Sequence, residues 1–377
     1  MSGIIWAILS VTSSQEGAVK KGTLPIMTTG NFSFQYVWGA EGLLTIREAW
    51  EHLTDANPVR RFFTDWAWYY LLETQLNERP FLYIVCSQQN QIRAILPLEQ
   101  TQQKRGPIEL KALRTPKSAA LNLYDIVTDT ATDPSLINEL LHSLSLSAKV
   151  SWDLLDLELI PASGDLASLI GNAGLTLDRM GASYYAESQS IHTLSKKQLR
   201  NAERLKRKAT EDFGPVRIEQ ATTPAELDQA YNLLLDLESS GWKGERGTAI
   251  IHDVSLNNFY RALLSEYGTA NTAAIHILYF GTHPVAGELM LRIENSLQIL
   301  KIGFDDTFRA YGPGTILMSE TLQSCATGEA ENVHLVTAPS WAERWHLQED
   351  PVMTFHNYNK TTRSLLFRAA KRAAKII

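Results

Sequence analysis

The residues best placed by type and spacing to do chemistry lie in Arg309-Ala310-Tyr311-Gly312-Pro313-Gly314-Thr315, which joins a predicted strand to an apolar helix beginning near Ile316. Glycines let backbone approach a ligand closely. The first turn of the following helix presents N–H groups without intrahelical acceptors, so the stretch suits an anion such as a pyrophosphate. Arg309 adds a cation for a charge-assisted contact, and Pro313 removes one donor while presetting the helical start. The plainer alternative is an ordinary strand-to-helix turn.

Other chemistries find little footing. The chain has no G-x-S-x-G elbow, no HExxH and no Walker loop. Gly241-Trp242-Lys243-Gly244-Glu245-Arg246-Gly247 follows a predicted helix rather than a strand, unlike a dinucleotide fingerprint. The two cysteines, Cys86 and Cys325, stand far apart in apolar stretches. They exclude a disulfide framework, give no support for a metal site and favour the reducing cytoplasm.

The elements that must hold the loop belong to a chain of two ordinary domains, since 377 residues exceed the size of one core. Hydrophobic residues at 44 % and charged residues at 20 % describe a globular protein. A net charge of −6 disfavours wholesale binding to DNA, so any polyanion must be met locally. Ile4–Val11 is apolar but too short to span a membrane, and no Lys or Arg precedes it as in an export signal. Met27 stands just before the first predicted strand and is an alternative start.

Periodicity predicts a strand over 32–38, helices over 45–54 and 63–77, and a hairpin of strands 81–86 and 92–98. Extended segments at 108–113 and 123–127, a helix over 135–148, a strand over 152–159, a short helix near 165–172 and extended chain around 175–191 complete the first half. The order then starts again. A strand at 216–220, helices at 224–239 and 255–266, and a meander of strands 273–280, 285–294 and 297–304 lead to the glycine-containing loop. A helix over 315–327, a strand over 332–337, a helix near 341–347 and a strand over 352–358 follow. Between the halves, Lys196, Lys197, Arg200, Arg204, Lys206, Arg207 and Lys208 crowd one helical stretch. Four of these fall on one face at i, i+4 spacing, either as a solvated connector or as a surface for phosphates. The C-terminal stretch from Arg363 is basic and partly amphipathic, and is expected to dock on the protein body in preference to a membrane surface.

This order of elements resembles that of GNAT-type acyltransferases, and Arg309, Gly312 and Gly314 match the R/Q-x-x-G-x-G/A loop of that superfamily. More narrowly, Leu199–Leu205, Glu238–Gly244 with Gly247-Thr248-Ala249, Lys301–Asp305 and Pro313-Gly314 resemble the tandem-GNAT CelD/BcsL family, associated with cellulose biosynthesis and similar to FemAB-type transferases. The resemblance implies an α/β (α+β) fold of two tandem GNAT-like domains, each a mixed, mostly antiparallel sheet flanked by helices. Its boundaries are an N-terminal extension over 1–31, a first domain over 32–192, a basic connecting helix over 193–212 and a second domain over 213–377. It implies acetyl-CoA or another acyl-CoA on Arg309, Tyr311, Gly312, Gly314 and Thr315, with no metal. Only the second half is expected to bind the coenzyme, because Arg114-Thr115-Pro116-Lys117-Ser118-Ala119, the equivalent in the first, has no glycine.

The implied reaction moves an acyl group, acetyl by preference, to an amine or hydroxyl of a small molecule or a saccharide or envelope precursor. An amine attacks a thioester only when unprotonated, so a base is needed near strand 297–304. Glu288, Asp305 and His334 are the candidates. Their simpler roles are a solvated carboxylate, a turn former and a sheet histidine. Glu238, Trp242, Lys243 and Lys301 are expected at the acceptor or coenzyme, together with Arg344 and Trp345. The stretch Ala338–Trp345 departs from the usual Gly-x-x-x-Tyr-Lys-x-x-Trp, keeping the final Trp345 and offering Arg344 for the lysine. Two alternatives stand beside this reading: an acyl-carrier protein or aminoacyl-tRNA donor docked on helix 196–208, and a catalytically degenerate scaffold in polysaccharide or envelope assembly.

Overall fold

The computed structural model describes residues 27–374 except 78, 130–131, 242–246, 248, 271, 329 and 338. The segment 1–26, with the question of the start at Met27, lies outside the described residues.

The first half runs β1 (Met27–Thr29), β2 (Phe32–Trp38), α1 (Gly39–Thr45), α2 (Arg47–Ala56), α3 (Trp66–Leu71), β3 (Leu82–Gln88), β4 (Gln91–Arg105), β5 (Ile108–Arg114), β6 (Val127–Thr128), α4 (Leu136–Leu146), β7 (Leu154–Pro161), α5 (Asp165–Asn172) and β8 (Asp178–Glu187). The basic helix α6 (Lys196–Phe213) leads to β9 (Val216–Ala221), α7 (Pro224–Ser239), α8 (Val254–Thr269), β10 (Ala273–Phe280), β11 (His283–Ile293), β12 (Ser296–Phe304), α9 (Pro313–Ala326), β13 (Asn332–Leu335), β14 (Gln348–Tyr358) and α10 (Thr362–Ala374). Met27–Thr29, expected within the N-terminal extension, pairs instead with Phe32–Phe34. The helix expected over 63–77 is broken into α3 and a π-helical turn over Leu72–Leu76, and the one near 341–347 is a 3-10 turn, Ala342–Trp345.

All the strands join one mixed sheet, and the repeat seen in the sequence appears in it as two similar halves. In each, an antiparallel meander ends in a strand that pairs in parallel with the next: β5 with β7, and β12 with β13. The outermost strands are then exchanged. β14, from the second half, pairs with β7, while β8, from the first half, pairs with β13, and β8 and β14 pair with each other. Each half therefore completes the other's ladder, and backbone groups that would form an open edge are paired.

The core crosses the same boundary. Trp50, Trp68, Tyr69, Tyr231, Phe259 and Tyr260 belong to one buried cluster. Trp68 of α3 meets Phe259 of α8 edge-on at 5.3 Å between ring centroids, and Tyr267 of α8 donates to buried Asp65 at 3.3 Å. In the second half α7 and α8 cover one face of the sheet with Leu289 and Leu291. The other face carries α9, with Met290, Ile299, Met318 and Leu322. The exposed stripe of α6 leaves Ala202, Leu205 and Ala209 to pack inward, with Leu205 meeting Ile316 and Leu317 of α9.

A fragment beginning at residue 194 lacks β8, the partner of β13, and half of the shared aromatic core. We expect residues 194–377 alone to show no cooperative thermal transition by circular dichroism, and co-expression with residues 27–193 to restore one; a cooperatively unfolding isolated fragment would contradict this interdependence.

Candidate functional site

The site is created by an interrupted pairing. β12 and β13 pair over only four positions, from Ser296↔Asn332 to Ile299↔Leu335, and β12 then continues to Phe304 away from β13. A bulge marks the departure: Met290 faces Ile299 and Leu289 faces Lys301, so Leu300 is an extra residue. The bulge resets the alternation, putting Lys301 and Gly303 towards α7 and α8. Ile302 and Phe304 share the α9 face with Glu288, whose cross-strand partner is Ile302.

Two cavities open along this diverging end. The first, about 350 Å³, lies on the α9 face and is lined by Glu288, Arg309, Gly312, Gly314, Thr315 and Trp345, with Gln198, Trp341 and Arg344 at its walls. The second, about 460 Å³, is lined by Glu238, Lys301, Thr337 and Pro339, and takes Asn122 from the first half. Ile302, Gly303, Phe304, Arg309 and Trp341 line both.

The loop is built as the sequence suggests but with a sharper turn. A 3-10 helix over Asp306–Tyr311 is capped by the Asp305 carboxylate, which accepts from Thr307 N at 2.9 Å and from its hydroxyl at 2.8 Å. Gly312 then takes a left-handed conformation (φ 59°), where a Cβ would also lie 2.7 Å from the Leu205 side chain. Thr315 and Ile316 donate to the Gly312 carbonyl, leaving Gly314 at the head of α9 with no intrahelical acceptor for its N–H. Arg309 pairs with Asp306 at 2.7 Å and its guanidinium sits 6.0 Å from the Phe304 ring centre.

Glu288 is fully buried at the floor of the first cavity. Its Oε1 accepts from the Thr321 hydroxyl of α9 and lies 3.1 Å from Nδ1 of His276, the residue opposite it on β10. Oε2 has no hydrogen-bond partner among the described residues. Burying a carboxylate oxygen in that way is costly, so this atom is favoured to accept from any proton donor that reaches it.

The other expected site residues fall into three places. Lys301 and Glu238 reach the second cavity. Lys301 Nζ lies 5.2 Å from the centre of the Tyr260 ring, and Glu238 holds the chain at the start of the next element by accepting from Ile250 N at 2.9 Å. Gly303 permits this approach, since a Cβ there would be 2.8 Å from Glu238 N. Tyr311, Asp305 and His334 line neither cavity. Tyr311 donates to Asp212 at 2.8 Å, carries Lys208 over its ring at 4.4 Å and packs against Phe213, joining the loop to α6. His334 stacks on Tyr185 at 5.1 Å and faces a third, polar cavity with Arg61, Ser183 and Asp350. Burial lowers its pKa to about 4, with Arg61 adding to the effect and Asp350 opposing it. Trp242 and Lys243 lie outside the described residues.

Gln198, Trp341, His276 and Thr321 were not among the expected site residues. Trp341 carried a signal, lying in the stretch Ala338–Trp345 that departs from the resembled motif. His276 and Thr321 carried none, because only strand register and helix packing bring them to Glu288.

Comparison with known proteins bears on these positions. Residues 196–345 match the acetyltransferase (GNAT) domain. Every residue lining the two cavities falls inside the matched stretch except Asn122. No curated protein matches the chain. Among solved structures, FemX superposes with a TM-score of 0.53 at 8 % identity, covering 88 % of this chain and 97 % of that one. L-PGS from Bacillus licheniformis gives 0.52 at 13 %, covering 86 % and 96 %, and a C-terminal domain (DUF2156) from Agrobacterium fabrum gives 0.52 at 12 %, covering 87 % and 96 %. At these identities the likeness is one of fold. The chain is thus a mixed α/β protein of two topologically similar halves, and residues 196–345 match the GNAT domain. No helix of the described residues is long and apolar enough to cross a membrane, and none of their His, Cys, Asp and Glu side chains group as a metal site.

The depressed pKa of His334 makes a pH prediction. The folded protein keeps this imidazole neutral while the unfolded chain protonates it near pH 6.5, so its contribution is fully present above that pH and is lost as pH falls towards 4. Relative to His334→Phe, the parent should lose about 3 kcal/mol of unfolding free energy across this interval, given about 1.36 kcal/mol per pKa unit. Parallel urea-stability curves from pH 7 to pH 4 would refute it. Gly303→Ala should destabilise the protein by roughly 1–3 kcal/mol in the same measurement, because Glu238 backbone cannot yield as a side chain would.

Proposed function

We propose that this protein is an acyltransferase whose first cavity takes an acyl thioester, acyl-CoA in the simplest case, and whose second cavity takes an amine or hydroxyl acceptor. The observation that carries the reading is the buried Glu288 carboxylate, with one oxygen unpartnered, on the floor of a cavity headed by Gly312-Pro313-Gly314. Gly314 N–H and the positive end of α9 would face an anionic part of the donor, with Arg309 and Arg344 beside it. Thr315 occupies the same turn.

In this reaction the acceptor nitrogen or oxygen enters along the diverging end of β12 and bonds to the thioester carbonyl carbon. Glu288 Oε2 takes the proton that the nucleophile gives up. The C–S bond then breaks, and the thiolate leaves and is protonated. His276 and Thr321 hold Oε1, so the carboxylate presents Oε2 without rotating. The first half acts through Asn122 at the acceptor cavity. Acetyl as the acyl group, and a saccharide or envelope precursor as the acceptor, rest on the resemblance to the CelD/BcsL type and extend this reading.

A second reading, with an aminoacyl-tRNA or acyl-carrier protein as donor, is favoured by one observation. Lys196, Lys197, Arg200, Arg204, Arg207 and Lys208 are exposed on α6, whose Gln198 lines the first cavity. Such a complex would weaken steeply with salt, whereas a CoA complex would do so modestly.

Acetyl-CoA or a longer acyl-CoA in excess over its dissociation constant should raise the thermal midpoint of the parent, and Gly314→Asp, which places a carboxylate where the anion would sit, should abolish the shift. Glu288→Gln should keep the shift and lower acyl transfer to an amine acceptor by about 10²–10⁴-fold, the usual worth of a positioned base. No shift with any CoA species would remove the acyl-CoA reading, and full activity in Glu288→Gln would remove Glu288 as the base.

A further inference from the structure

The C-terminal helix α10 presents a face that the catalytic reading does not use. It is tied to the body at its start: the Thr361 hydroxyl donates to Asp153, and Asn359 Nδ2 donates to the Trp152 carbonyl at 3.0 Å. Ser364 is fully buried, and Phe367 packs on Tyr358, with ring centres 5.7 Å apart, beside Leu110, Ala112 and Leu154. These contacts orient the helix. At 100° per residue, Ser364, Phe367 and Lys371 share its inner side, and Leu365, Leu366, Ala369 and Ala370 share the outer one.

The outer side is apolar and, among the described residues, uncovered. Leu365 and Leu366 are 52 % and 58 % exposed, and Ala369 and Ala370 are exposed as well. Arg363 and Arg372 flank this strip, both exposed, and Lys360, Arg368 and Lys371 add to the charge. From Lys360 to Arg372 there are five cations and no acidic residue, in a chain whose net charge is −6. The body docking expected from the sequence is therefore only half of the helix's design, since the inner side docks and the outer side does not.

We propose that α10 is a membrane-surface helix that holds this protein on an anionic bilayer, with Leu365 and Leu366 entering the headgroup–acyl boundary and Arg363 and Arg372 lying among anionic headgroups. The charge complementarity selects an anionic surface. The adjacent leucines select lipid over nucleic acid, which offers basic residues phosphates but gives an exposed leucine pair nowhere dry to go. The helix is anchored through Ser364 and Phe367, so it can lie flat on a bilayer without leaving the protein. The proposal stands independently of the acyl-transfer reading.

The test is co-sedimentation of the full chain with vesicles of phosphatidylcholine alone or mixed with phosphatidylglycerol, at low and high salt. The parent should bind the mixed vesicles, bind pure phosphatidylcholine far less, and be partly released by salt. Arg363→Glu with Arg372→Glu should weaken binding by at least about thirtyfold, from the loss of two basic contacts at an anionic surface. Leu365→Ser with Leu366→Ser should weaken it by at least about tenfold with all charges kept. These four side chains are exposed, so both variants should keep the parent's thermal midpoint, which is measured alongside. Failure of the parent to bind mixed vesicles overturns the proposal, and so does undiminished binding by the leucine variant, which would reduce the helix to a general polyanion patch.

Discussion

Four residue pairs hold β13 to β12, and the behaviour of the second half follows from the pairing stopping there. A strand that kept its neighbour to the end would bury its backbone in the ladder and leave no space beside it. Here the bulge at Leu300 bends the strand away, and the sheet opens where α9 begins. The same bulge decides which side chains meet. It places Lys301 against α8 and Ile302 above the carboxylate of Glu288, so one irregular residue separates two cavities on opposite faces of a sheet and lets them meet at its opened edge.

The first half differs at the corresponding place, where a cavity of about 400 Å³ is lined by Thr115, Pro116, Lys117 and Glu158. Its β5 and β7 have the same parallel relation, but Thr115 bridges them. Its N–H donates to the Asp156 carbonyl at 3.1 Å, its hydroxyl donates to the Glu158 carbonyl at 3.0 Å, and that hydroxyl also accepts from Glu158 N at 2.8 Å. A threonine side chain thus adds to a parallel ladder of three residue pairs. The first half contributes otherwise, through β8 and the loop that brings Asn122 to the second cavity.

Interdependence of the halves sets the stability of the site. The strand next to β13 comes from the first half, and the aromatic cluster behind α8 is shared. Glu288 keeps a costly unpartnered oxygen at the centre of this arrangement, which the surrounding sheet, α9 and His276 hold in place.

Much of this was legible in the residues. The 2.0 and 3.6 periodicities located the meander of β10 to β12 and the helices around it, and Gly312 and Gly314 marked the loop before α9. The duplicated order of elements was equally readable, because each half repeats the same local patterns. The exchange of β8 and β14 was not, since a strand's own alternation is the same whichever neighbour it joins. Nor could the sequence separate the three candidate bases: Glu288, Asp305 and His334 all lie in or beside strands of the same sheet, and only register and packing turn one into a cavity floor, one into a helix cap and one into a stacked ring. Sequence by itself determined the elements, the loop and the residue types available, because these depend on neighbours a few positions away. Tertiary structure alone decided which of those residues share a space, because that depends on a bulge, on a four-pair ladder, and on two exchanged strands, the last joining positions more than a hundred residues apart.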